Sequence, residues 1–176
     1  CKGRQWSNIV LIGMTGSGKS TVGSLLAARL GMNFVDTDTL IEEAAGRSLQ
    51  EILDDRGPSG LRRTEEEVLL AMQVENHVIA TGGSSVYSKK GMAHLRRDGI
   101  CILLDVAPEM LEKRIKNMST RGLVRYPGQS FKDLYEERRP LYLGYADIRL
   151  SCTALDAADV AELLVRRLEI LLEPGT

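Results

Sequence analysis

Histidine and cysteine are scarce in this chain, two and three residues among 176. His77 and His94 share no pattern with a nucleophile or with each other, so both read as structural. Cys1, Cys101 and Cys152 have neither metal-ligand spacing nor the arithmetic of a disulfide framework, which excludes a stapled secreted scaffold and suggests a reducing, cytoplasmic setting. Cys101 lies inside an apolar run and reads as a small core hydrophobe. Neither sign of charge is in excess, with 23 basic against 24 acidic residues, so a general nucleic-acid binder is not expected. Trp6 and the five tyrosines form no stacking platform with interleaved basic residues. No apolar run is long enough to span a bilayer and no signal-peptide pattern opens the sequence, so no membrane partner is expected. Repeats, low-complexity tracts and linkers are also missing, and the length suits one domain, 1–176, with a full core.

What is present begins with Gly13-Met14-Thr15-Gly16-Ser17-Gly18-Lys19-Ser20, followed by Thr21. It matches the phosphate-binding loop pattern G-x-x-x-x-G-K-[ST] in full. Glycines let successive backbone N–H groups turn toward a phosphate chain, the lysine reaches the terminal phosphates and the serine hydroxyl can ligate Mg²⁺. The flanks give the motif its context. Asn8-Ile9-Val10-Leu11-Ile12 reads as a buried strand, and Val22, Leu25, Leu26 and Leu30 recur at helical spacing. A helix starting there would aim its free N–H groups at the phosphates.

Strand-like runs at 8–13, 33–36, 77–81, 100–105 and 147–152 alternate with helical patterns at 48–56, 60–73, 108–117, 130–143 and 156–172. A further helix runs through Leu40, Ile41 and Ala44, and His94 falls in a basic one. Such alternation predicts an α/β fold with a parallel sheet and helices on both faces. In the last helix Val160, Leu163, Leu164, Leu168 and Leu171 form one stripe, expected to pack in the core. Ligands in such sheets sit beyond the carboxyl ends of the strands, where several polar clusters fall.

Asp36-Thr37-Asp38 follows the second strand. One carboxylate could support Mg²⁺ through water and the other accept a proton from an attacking hydroxyl; alternatively Thr37 or Asp38 caps the next helix. Arg62 and Glu65 share a helix face, either as a surface ion pair or as an arginine held by Glu65 to grip an anionic substrate. Gly82 and Gly83 allow close backbone approach to a ligand or make a tight turn. The stretch 118–129 has few apolar residues and carries Arg121 and Arg125, with Arg114 before it and Arg138 and Arg139 after. It reads as a lid over the nucleotide or as a solvated loop.

Taken together, residues 13–21, Asp36-Thr37-Asp38, Arg62 with Glu65, Gly82-Gly83, Arg121 and Arg138-Arg139-Pro140-Leu141-Tyr142 resemble the shikimate kinase family, in order and in spacing across most of the chain. The resemblance implies a five-stranded parallel sheet of the P-loop, nucleoside monophosphate kinase-like type. It implies transfer of the ATP γ-phosphoryl group to the 3-hydroxyl of shikimate, with Mg²⁺, in a monomer. Residues about 37–75 would form the substrate-binding helical region and about 118–130 the lid. By position, Asp38 would bind shikimate and act as base, and Arg62, Gly82, Gly83 and Arg138 would bind the substrate, with Glu65 behind Arg62. Gly16, Ser17, Gly18, Lys19, Ser20 and Thr21 would hold the ATP phosphates, Arg121 would close on them, Arg114 would lie along the adenine, and Asp36 would support Mg²⁺ with Ser20. Lys19, Asp38 and Arg121 form the catalytic set. The chain departs from the family pattern at Ser84, where a third glycine is usual, at Gly122, where proline is usual, and in 151–155, which lacks a basic residue near the adenine. Glycine for proline predicts a looser lid. Two other readings stay open: a kinase for another small hydroxylated acid or sugar, and a catalytically silent nucleotide-binding module.

Overall fold

The unbroken apolar run at 9–12 fits a strand covered on both faces, and all four of its side chains are fully buried. It is the centre of one parallel sheet made of β1 (Asn8–Ile12), β2 (Asn33–Asp36), β3 (His77–Ala80), β4 (Gly99–Asp105) and β5 (Ile148–Ser151), in the spatial order β2-β3-β1-β4-β5. The computed structural model describes residues 6–117, 124 and 126–172. The helices are α1 (Lys19–Leu30), α2 (Thr37–Ala45), α3 (Leu49–Ala71), α4 (Lys89–Arg97), α5 (Pro108–Asn117), α6 (Phe131–Tyr145) and α7 (Ala157–Leu172).

From β1 the chain crosses one way to β2 and thereafter moves back to β3, β4 and β5. Right-handed crossovers therefore place α1 on one face and α3 and α4 on the other. α7 packs on α1, and α3 on α4. The connection leaving β1 runs one way and that leaving its neighbour β4 the other, so the crevice at their carboxyl ends is the topological switch point. The loop at 13–18 occupies that crevice.

The strands and helices fall where the sequence pattern puts them, within a residue or two. The two helical patterns at 48–56 and 60–73 are one run, α3, broken at Gly57 (φ 72°, ψ 178°) and continued from Pro58. That backbone conformation is open almost only to glycine. The break lets α2 and the two arms of α3 bury a second small core, Ile41, Ile52, Leu53 and Leu61, against which Val124 and Tyr126 pack. One expectation is corrected in α7. Val160, Leu164 and Leu168 are buried, but Leu163 and Leu171 are 37% and 55% exposed. α7 meets the rest of the molecule along two adjacent i, i+4 rows, Val160-Leu164-Leu168 and Ala157-Ala161-Val165, and Leu163 and Leu171 lie outside both. Cys101 is fully buried, as a core hydrophobe should be, and burial pushes its thiol up to about 12.

Candidate active site

Gly13, Gly16 and Gly18 all take positive φ, at 147°, 86° and 91°. Side chains there would strain the backbone, and the three glycines bend the loop around the start of α1. Gly18 caps α1 without a side-chain bond, so the first N–H groups of that helix face the crevice free. Lys19 is buried beneath the loop, where Nζ donates to the carbonyls of Gly13 at 2.7 Å and Met14 at 2.9 Å. Burial pulls its pKa down to about 8, against the pull of Asp38 and Asp36 in the other direction.

Asp36 ends β2 and caps α2: its Oδ1 accepts from the Asp38 N–H at 2.9 Å, while its Oδ2 accepts from the Ser20 hydroxyl. The cap is thus Asp36, neither Thr37 nor Asp38, because Asp36 alone of the three has extended backbone before the first helical turn. Thr37, fully buried, accepts from the Gly82 N–H at 3.0 Å and ties the end of β3 to the start of α2. Asp38 is thereby left free to project between the strand ends. Burial, and then the neighbouring Asp36, raise its pKa to about 6. A side chain at position 82 would collide with Asp38 Oδ1, and one at 83 would come within 2.8 Å of an Arg138 guanidinium nitrogen. Glycine at 82 and 83 lets the Asp38 carboxylate and the Arg138 guanidinium approach the backbone this closely.

Two cavities open on this point. One, of about 540 Å³, is lined by Gly16, Gly18, Lys19, Ser20, Asp36 and Arg114 among others. The other, of about 350 Å³, is lined by Leu61, Glu65, Ser84, Tyr126, Phe131 and Arg138 among others. Thr15, Asp38 and Gly83 belong to both walls. Gly82 lines only the first cavity. Arg114 reaches back to the Gly16 carbonyl at 3.1 Å and borders a further cavity of about 190 Å³ with Leu155, Asp156 and Ala157. Arg121 and Gly122 lie outside the described residues; of the expected lid, 124 and 126–130 are described, with Val124, Tyr126 and Gln129 over the second cavity.

Arg138 is 3% exposed, and its Nε donates to the Tyr87 hydroxyl at 3.4 Å. Arg62 is not held by Glu65. Its guanidinium lies over the Tyr87 ring, 3.8 Å from the centroid, and 3.8 Å from Glu137 Oε1. It borders a neighbouring polar cavity instead of the one Arg138 lines. Glu65 is buried and accepts from the Ser84 hydroxyl at 2.7 Å, and burial raises its pKa to about 7. Tyr142, also buried, donates to the Gly83 carbonyl at 2.6 Å and so fixes the peptide between the cavities. Tyr87 and Tyr142 escaped the sequence reading as site residues, and Thr37 entered it only as the middle of Asp36-Thr37-Asp38 and a possible cap. Tyr142 had a signal as the last member of Arg-x-Pro-Leu-Tyr; Thr37 and Tyr87 act through contacts 45 and 51 residues away.

A phosphate loop at the switch point, joined through one carboxylate to a second cavity with a buried arginine, defines a P-loop small-molecule kinase. The sequence model of the shikimate kinase family matches residues 15–169. The chain belongs to that family. It is 40% identical over 162 residues to a shikimate kinase of Caldanaerobacter subterraneus, covering 90% of this chain and 94% of that one. To a shikimate kinase of a Synechococcus species it is 42% identical over 176 residues, covering 97% and 89%. Among solved structures, shikimate kinase from Acinetobacter baumannii in complex with shikimate superposes with a TM-score of 0.86 at 30% identity, covering 95% of each chain.

Proposed function

We propose that the chain phosphorylates the 3-hydroxyl of shikimate with ATP, giving shikimate 3-phosphate and ADP. The observation that carries this reading is the shared wall: Asp38 stands where a cavity with a phosphate loop meets a cavity with a buried arginine. The nucleotide phosphates lie along the loop from Gly16 to Thr21, replacing the Gly13 and Met14 carbonyls as partners of Lys19. Arg114 flanks the adenine. Arg138 takes the acceptor's carboxylate from the second cavity and Arg62 reaches it from the polar cavity next to it, with the Gly83 backbone beside it, and Arg121 adds charge at the phosphates.

Asp38 accepts the proton of the attacking hydroxyl; the oxygen bonds to the γ-phosphorus as the bond to the bridging oxygen of ADP breaks. A base near pKa 6 is ionised at neutral pH yet still holds a proton well enough to take it. Most of the rate enhancement then comes from alignment of the two substrates and charge placed around the transferring group. The hydroxyl of Ser20 and the carboxylate of Asp36, hydrogen-bonded at the edge of the nucleotide cavity, are the hard oxygen donors that suit Mg²⁺. Among the described residues no group of three or more His, Cys, Asp or Glu could hold a metal by itself, so such an ion depends on the nucleotide's own oxygens. When bound it neutralises charge developing on the β- and γ-phosphates.

A monomer is part of the same reading. No described helix is long and apolar enough to cross a membrane. A cytoplasmic setting is part of the same reading. The test is ADP release coupled to NADH oxidation, with Mg²⁺, ATP and a panel of shikimate, other hydroxy acids and neutral sugars. Shikimate-dependent turnover, abolished in Asp38→Asn while ATP binding persists, is expected. Better turnover of a neutral sugar, or none on any acceptor, overturns the proposal.

A further inference from the structure

One side chain touches both arginines of the proposed acceptor clamp. Tyr87 sits on the 3₁₀ turn Ser85–Tyr87 that follows Gly82-Gly83-Ser84. Its ring lies under the Arg62 guanidinium, 3.8 Å from centroid to Cζ, and the Arg138 Cζ stands 5.5 Å from the same centroid. Its hydroxyl accepts from Arg138 Nε at 3.4 Å and donates to Glu137 Oε1 at 2.8 Å. A phenol has one proton to give, so the direction of this chain is fixed: guanidinium to phenol to carboxylate. Glu137 is itself anchored on its other oxygen by Gln129 Nε2 at 2.8 Å. The phenol is therefore set from two sides.

The arrangement has a counterpart three residues earlier. Ser84 donates to Glu65 at 2.7 Å and holds the carboxylate that Arg62 would otherwise meet three residues along its own helix. Arg62 is left with a π-face below it and a half-exposed carboxylate at its edge. A guanidinium stacked on an aromatic face keeps its N–H edge free for a planar anion, which an arginine locked in a bidentate ion pair does not.

We propose that Tyr87 is a positioning residue for the acceptor's anionic group, its ring carrying Arg62 and its hydroxyl aiming Arg138. The assignment rests on the reading of the second cavity as the acceptor site. Tyr87 touches neither the nucleotide loop nor Asp38, so its effect belongs to acceptor binding and not to the chemical step.

The experiment compares wild type with Tyr87→Phe and Tyr87→Leu in steady-state kinetics, using shikimate and its uncharged methyl ester. Loss of a cation–π contact and one hydrogen bond to a charged group amounts, at the weak end of both, to about thirtyfold. Tyr87→Leu is expected to raise KM for shikimate by about thirtyfold with kcat and the KM for ATP little changed. Tyr87→Phe, which keeps the ring under Arg62, is expected to fall between. With the methyl ester the wild type and both variants should differ little, because the clamp has no anion to hold. Unchanged KM for shikimate in both variants, equal loss on acid and ester, or a parallel rise in the KM for ATP overturns the assignment while wild-type turnover stands. Absence of wild-type turnover overturns the functional reading and this proposal with it.

Discussion

Glu65 is buried and accepts from Ser84, and none of the described ion pairs includes it. Folding raises its pKa from 4.5 to about 7, chiefly through desolvation. Below pH 4.5 both folded and unfolded chains hold the proton and the stability from this group is fully present. As pH rises toward 7 the unfolded chain has released the proton and the folded chain has not, so that stability is progressively lost. Glu65→Gln keeps an oxygen for Ser84 and removes the titration. It is expected to be more stable than wild type at pH 8 by about 1–3 kcal/mol and equal to it near pH 4.5, read by urea denaturation. The same pH dependence in both proteins would rule this out. The residue also shows where sequence reading stops. Asp38 was legible because two carboxylates past a strand end, beside a phosphate loop, have few other uses. The partner of Glu65 was not, because helical spacing reveals neighbours three or four residues away and Ser84 arrives 19 residues later on another element.

At the scale of elements, α3 depends on one backbone conformation. Gly57 opens the angle that carries Leu61 into the second small core and sets Glu65 in the acceptor wall. A Cβ at this position would meet nothing within 4 Å, so any cost is torsional and not steric. Gly57→Ala is expected to destabilise the chain by about 1–3 kcal/mol and to raise the KM for the acceptor more than that for ATP. Thermal melting and the two KM values check it; an unchanged melting temperature would show that the kink is set by Pro58 instead. The alternation of strands with helices was legible, since strand period, helix period and glycine turns each carry their own signal. The exposed flank of α7 was not: the neighbour covers the side of Ala161 and Val165 and leaves Leu163 and Leu171 out, and a stripe of leucine and valine positions does not show which side is covered. The expected lid is legible only as composition, and its arginine, Arg121, lies outside the described residues.

Over the whole molecule, the groups that serve the acceptor site oppose stability. Asp38, like Glu65, is raised by burial, from 3.8 to about 6. Its stability contribution is present below 3.8 and lost as pH rises through 6, by the same accounting. As the base it must be ionised to work, so kcat/KM rises through the interval in which that stability is lost. The core that compensates lies elsewhere, in the buried strands β1 and β4 and the rows of α1 and α7 packed on them. The near-neutral net charge adds no self-repulsion across this range to mask the effect. One preparation measured from about pH 5 to about pH 8 should therefore give two curves of opposite slope. kcat/KM for shikimate should climb with an apparent pKa near 6, and the melting temperature of the unliganded chain should decline. Glu65→Gln should flatten the melting curve at its upper end and leave the kinetic limb near 6, because that limb belongs to Asp38. A kinetic limb that moves with Glu65→Gln would reassign the base, and parallel curves would mean that the buried carboxylates do not govern stability in this range.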